Sequence, residues 1–173
     1  MSKNYNYIIL GLITLAFIFR MLLEQYQLKW FLTGSYLSLF VIISSYYGIY
    51  SQRQNSNEKF DFMMDLKGGA QGGAFFAIGT GIMTYVFYKL IHPSYLQDFD
   101  INRREEILAA LIENGKSTEV ISKIMTNHEN MGALILVPGN WSILTMATLT
   151  FLAIFYSFIF SLITKFLPKF VNQ

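Results

Sequence analysis

The sequence predicts an all-α polytopic membrane protein with four transmembrane helices and an amphipathic helical hairpin between the third and the fourth. Three observations predict it. Of the 173 residues, 53% are hydrophobic and 14% charged, whereas soluble domains carry about 25% charged residues. The apolar residues are gathered into runs, several of which reach the roughly 18 to 20 residues needed to cross a hydrocarbon core. The one long hydrophilic stretch, residues 94–138, keeps its apolar residues at helical spacing. The expected spans are about 7–23, 30–50, 69–91 and 141–166, and the expected hairpin about 100–128, all within one membrane domain.

The first apolar run has only Lys3 as a basic residue before it, and Arg20, Met21 and Glu24 stand where a leader peptide would carry its small-residue cleavage site. It is therefore expected to remain as the first span. Arg20 lies near the far end of that span, where a long side chain reaches the interface, and Glu24 is four residues on, at pairing distance along a helix. A short connection leads to the second span. Trp30 at one end of this span and Tyr46, Tyr47 and Tyr50 at the other match the aromatic belts of the two interfaces. Gly34 and Ser38, and Ser44 and Gly48, offer small faces at a spacing of four.

After the polar loop 51–67, with residues 60–65 expected along the interface, comes the segment around which the chain is organised. Gly69, Gly73, Ala77 and Gly81 recur every fourth position, with Gly68, Gly72 and Gly79 beside them. Residues four apart share a helix face. Each glycine costs a water-exposed helix about 1 kcal/mol, but in lipid a groove of small residues lets a second helix approach to backbone contact. Pro93 ends this span, with Lys89 and His92 in its last turn.

In the hydrophilic stretch, Asp100 is expected to cap a helix with Ile101, Ile107, Leu108, Leu111 and Ile112 on one side, ending at Asn114 and Gly115. Ser117 is expected to cap a second helix, with Val120, Ile121, Ile124, Met125 and His128 on one side. Two such short helices are marginal alone in water, so their apolar faces need the membrane surface, the bundle or a partner. Asn140 is expected to cap the last span, along which Ser157, Ser161 and Thr164 share a face. An even number of spans puts both termini on one side. The cations near short loops and span ends, Lys3, Arg53, Lys59, Lys67, Lys165 and Lys169, favour the cytoplasmic side for them.

The Gly-Gly-Ala-Gln-Gly-Gly opening of the third span, the Lys-Leu-Ile-His-Pro exit at 89–93 and the charged helical hairpin before the fourth span carry a resemblance over nearly the whole chain. On these features the chain resembles the bacterial membrane proteins of the domain-of-unknown-function family numbered four-one-nine-nine, met mainly in Bacteroidetes. The resemblance implies an integral protein of the bacterial cytoplasmic membrane. It carries across no activity, substrate or catalytic residue.

Gly115-Lys116-Ser117 looks like the end of a phosphate-binding loop, but Ala110 stands where that loop needs a glycine and a helix, not a strand, leads in. His92 and His128 are the only histidines and lack short-range ligand spacing with Asp98, Asp100 or Glu129, so no metal is expected and no cofactor is implied. The absence of cysteine excludes disulfides and thiolate chemistry, and a net charge of +2 without a basic patch excludes a nucleic-acid partner. No nucleophile stands beside a base at recognisable spacing, so an enzyme is not expected.

The expected role is a structural or accessory interaction subunit, with membrane lipids around it. A protein partner or a second copy would be met through the glycine-rich helix or the hairpin. The alternative is a small transporter or lipid-handling protein that uses an interfacial cluster of Arg20, Glu24, Lys89 and His92 to hold a lipid headgroup or other anion.

Overall fold

A computed structural model describes residues 3–23, 29–56 and 61–166. These residues form six α-helices and one π turn, and no strand occurs among them: α1 Lys3–Leu23, α2 Lys29–Ser56, α3 Phe62–Val86, a π turn Phe87–Ile91, α4 Tyr95–Glu113, α5 Thr118–Ile135 and α6 Pro138–Phe166. Four stretches are long and apolar enough to cross a membrane, namely Tyr5–Leu23, Phe31–Gln54, Phe62–Ile91 and Pro138–Lys165. At about 1.5 Å per residue even the first, of 19 residues, approaches the roughly 30 Å of a hydrocarbon core. The chain divides into two compact units. One comprises Met1–Met83 with Thr145–Gln173, the other Thr84–Leu144.

In the first unit α3 is the helix that the other three touch. A Cβ added to Gly72 would meet the Ser44 carbonyl oxygen of α2 and, at 3.0 Å, Tyr5 Oη of α1. One added to Gly79 would run into Ile13 of α1. Along the column Gly69, Gly73 and Gly81, an added Cβ would meet Ser157, Ala153 and Met146 of α6 in turn. Rising numbers on α3 thus meet falling numbers on α6 and α2, and rising numbers on α1. Hence α2 and α6 run antiparallel to α3, and α1 runs parallel to it. Ala77, the one member of the column with a Cβ, is fully buried.

Gly48 of α2 answers Gly68 and Gly72 of α3, so glycine meets glycine and the two backbones touch. Among the described residues, by contrast, nothing lies within 4 Å of the Gly34 Cβ position, so none of them uses the small face expected there. Where the backbones separate, aromatic side chains fill the space. Phe76 is fully buried and stands edge-on to Phe40, with ring centroids 6.2 Å apart. The unit's exterior remains apolar, with Phe31, Phe151, Phe155 and Ile82 each at least half exposed.

In the second unit the last turn of the third span widens into the π turn, which closes with the His92 N–H donating to the Phe87 carbonyl at 2.8 Å. Pro93, which has no N–H to donate, follows. The π turn buries Phe87 and Tyr88, and both rings pack on Tyr95. Burial of Tyr95 and Leu96 draws the next helix to start there, earlier than the expected position near residue 100. Asp100 is consequently not a cap but an interior residue of α4.

That helix ends as the sequence predicts. Gly115 takes φ +63°, the Gly115 N–H donates to the Ile112 carbonyl and the Lys116 N–H to the Leu111 carbonyl, which is a Schellman stop. Ser117 has the extended backbone of an N-cap, with no side-chain bond to α5. Of the apolar residues expected on one side of α4, Ile107 and Leu111 are half-buried with Ile121 and Met125 of α5, while Ile101, Leu108 and Ile112 stay exposed. Asn140 also differs from expectation. The helix α6 opens at Pro138, whose ring suits a first helical position, and Asn140 Nδ2 donates back to the Leu134 carbonyl at 2.6 Å, closing the end of α5 instead.

Gly73→Leu is expected to cost at least about 1–3 kcal/mol, because α6 must move off Ala153 to admit the side chain. Gly34→Leu is expected to be neutral. Thermal unfolding of both variants in mild detergent measures the difference.

Candidate functional site

The most buried charge among the described residues is Asp65, which belongs to the stretch expected along the interface. The Phe62–Val86 helix starts earlier than the expected third span, because Asp61 accepts the Met63 N–H through its side chain at 3.1 Å and the Asp65 N–H through its backbone at 3.0 Å. This places Asp65 in the first turn of α3, where a carboxylate suits the positive end of the helix dipole. It has no exposed surface.

Arg53, in the last turns of α2, reaches it with both arms of its guanidinium. Nε donates to Oδ1 at 2.8 Å, and Nη2 donates to Oδ2. A planar fork matched to a carboxylate is the strongest common form of ion pair. Thr164 of α6 adds its Oγ1 at 3.4 Å from Oδ2 while bonding its own helix at the Phe160 carbonyl. The ends of three helices are thereby tied at one point. The signal was present in the sequence: Asp65 lies four residues before Gly69, so it heads the small-residue column.

Below it, buried hydroxyls turn back on their own helices. Ser44 Oγ donates to the Phe40 carbonyl at 2.7 Å, Ser157 Oγ to Ala153 at 2.5 Å and Ser161 Oγ to Ser157 at 2.8 Å. Such bonds let a hydroxyl sit in apolar surroundings without a neighbour. Tyr5 Oη, Ser45 Oγ and Thr80 Oγ1 are buried without a hydrogen bond among the described residues.

The residues expected to hold an anion are placed as follows. Arg20 Nη1 donates to Thr33 Oγ1 at 3.2 Å, joining α1 to α2 in the first unit. Glu24 lies outside the described residues. Lys89 and His92 belong to the second unit, both exposed, and the His92 ring stacks on Phe87 at 6.2 Å and stands edge-on to Tyr95.

A second group of charges, absent from that expectation, joins α4 to α5. Arg104 Nη2 lies 2.7 Å from Asp100 Oδ2 and its Nη1 3.4 Å from Glu129 Oε1. His128 Nδ1 is 3.8 Å from Asp100 Oδ1. The Asp100 carboxylate holds the Arg104 guanidinium above its already high ordinary pKa, so Arg104 stays charged throughout the working range. Among the described residues, no group of three His, Asp or Glu side chains is arranged to hold a metal ion.

Residues 8–167 match the family described as Protein of unknown function (DUF4199). The chain belongs to this family. The match takes in α1 from Ile8 and the other five helices of the DUF4199 chain whole, so both the Arg53–Asp65 pair and the α4–α5 charges fall inside the family domain. No curated protein and no solved structure matches the chain.

Removing one member of the buried pair leaves the other uncompensated. Arg53→Ala and Asp65→Ala are each expected to destabilise the fold by about 3–5 kcal/mol, whereas replacing both by apolar residues of similar volume recovers most of the loss. A double-mutant cycle on thermal unfolding measures this.

Proposed function

We propose that this chain is a multi-pass integral protein of the bacterial cytoplasmic membrane with a structural or accessory role. Its termini lie on the cytoplasmic side, and α4 and α5 are the surface it offers to a protein partner. The observation that carries this reading is where the small residues of α3 are spent. Gly68, Gly69, Gly72, Gly73, Gly79 and Gly81 all lie against helices of the same chain. The groove that invited a second copy is therefore filled from within. The outward apolar residues of Ile101, Leu108 and Ile112 on α4 and Val120 and Ile124 on α5 remain without cover among the described residues.

The inside of the first unit also favours a non-catalytic role. Arg53 and Asp65 neutralise one another, and the hydroxyls of Ser44, Ser157 and Ser161 are committed to backbone carbonyls. A relay or permeation path instead places ionisable groups along the middle of the spans. The apolar exterior of α6, with Phe151, Ile154 and Phe155 open, suits lipid as its surroundings.

A second reading, lipid or anion handling, draws on one observation. Lys89 is exposed in a π turn beside the rings of Phe87, Tyr88, His92 and Tyr95, an arrangement suited to the headgroup region.

Purification of the tagged chain in mild detergent tests both. The accessory role predicts a stoichiometric protein partner that Leu108→Glu with Ile112→Glu releases while the unfolding temperature stays unchanged. Retention of that partner by the double variant, or no partner at all, overturns it. An anionic lipid retained by the parent chain and lost from Arg20→Ala with Lys89→Ala would establish the second reading in its place.

A further inference from the structure

The contact between α4 and α5 contains a defect that one proton would repair. Asp100 of α4 is wedged over Gly132 of α5, and a Cβ added to Gly132 would lie 2.6 Å from Asp100 Oδ1. His128 sits one turn before Gly132 on the same helix, with its Nδ1 3.8 Å from that oxygen. This is too far for a hydrogen bond, and both atoms are shielded from solvent with no hydrogen-bond partner. Arg104 is committed to the other oxygen, Oδ2, and to Glu129.

The charges around the imidazole do not balance. The imidazole faces Asp100, which is linked through Arg104 to Glu129, so the group holds two negative charges and one positive. Arg103, on the rim of the same cavity, is paired with Glu106 at 3.3 Å. With His128 neutral, the contact carries one uncompensated negative charge. With His128 protonated it carries none, and Nδ1 bears a proton whichever tautomer the neutral ring adopts. Beside the contact is a cavity of about 210 Å³, walled by Phe99, Met131, Ile135 and Leu136, which leaves room for the helices to shift.

We propose that His128 and Asp100 form a proton-operated latch, closed when the imidazole is protonated and released when it is neutral, so that pH sets how tightly α4 is held to α5. The sign follows from linkage. The closed pair holds a proton that the released pair lacks, so rising pH favours release. The latch is independent of which partner the helix pair meets, and it regulates the surface named above.

The chain has no cysteine, so the test needs only two added ones. Spin labels on Asn102→Cys and Asn130→Cys, both exposed polar positions, report the α4–α5 distance in the full-length protein in lipid nanodiscs. The expected result is a single short distance at pH 5.5 that gives way to a longer, broader distribution at pH 8. His128→Gln should show the pH 8 distribution at both values, and His128→Arg, with its fixed charge, the short distance at both. His92→Gln, which removes the only other histidine, should respond like the parent. A distance that does not change with pH, or a response that survives His128→Gln or is lost in His92→Gln, overturns the latch. Should His128→Gln fail to fold, the arginine variant decides: a pH response that persists there overturns it equally.

Discussion

Close backbone approach along α3 is the constraint on which the rest of the first unit depends. The dispersion contacts that hold packed helices together fall off within an ångström of separation. A helix that turns glycines toward its neighbours therefore gains contact only if they come right up to the backbone. Here they do so on three sides. Gly68 and Gly72 face α2, Gly69, Gly73 and Gly81 face α6, and Gly79 faces α1. The neighbours supply small groups at the points of contact, with Gly48 opposite Gly68 and Gly72, and Ser157 and Ala153 opposite Gly69 and Gly73. Larger side chains such as Phe40 and Phe76 take the space where the helices part.

The Arg53–Asp65 pair is a consequence of that geometry as much as a support for it. A bidentate pair needs its two helices at a set distance and register, and the glycine contacts of α2 with α3 provide both. Asp65 is wholly buried whereas Arg53 keeps about a fifth of its side chain exposed. The arginine therefore enters from the rim on a long stem, and the carboxylate bears the greater desolvation. The helix dipole and Thr164 offset part of that cost. Because such a pair is far costlier to break than to omit, its effect is to specify one register among α2, α3 and α6.

The second unit is built on other terms. Few of its side chains are buried: Ile107, Leu111, Ile121 and Met125 are half-buried, and a charged group at Asp100, Arg104, His128 and Glu129 joins α4 to α5. Such a contact contains titratable groups that the glycine contacts lack. The two parts thus divide between a stiff scaffold and an adjustable surface.

Membership of the family, the helical class and the four stretches able to cross a membrane were legible in the sequence, because hydropathy and run length depend only on which residues follow one another. The same holds for the stop at Gly115, since a left-handed residue at a helix end is a local requirement. The glycine column was visible as a column, but not which helices would fill it, because that depends on the arrangement of segments far apart in the chain. Asp65 looked interfacial and Asp100 looked like a cap, since a charge beside an apolar run has both meanings until its neighbours are known. Only the tertiary structure decided that Asp65 meets Arg53 and Asp100 meets His128. The physical reason is that Arg53 and His128 stand on other helices and reach Asp65 and Asp100 only through packing, whereas Arg104, the nearer partner of Asp100, is one turn along the same helix.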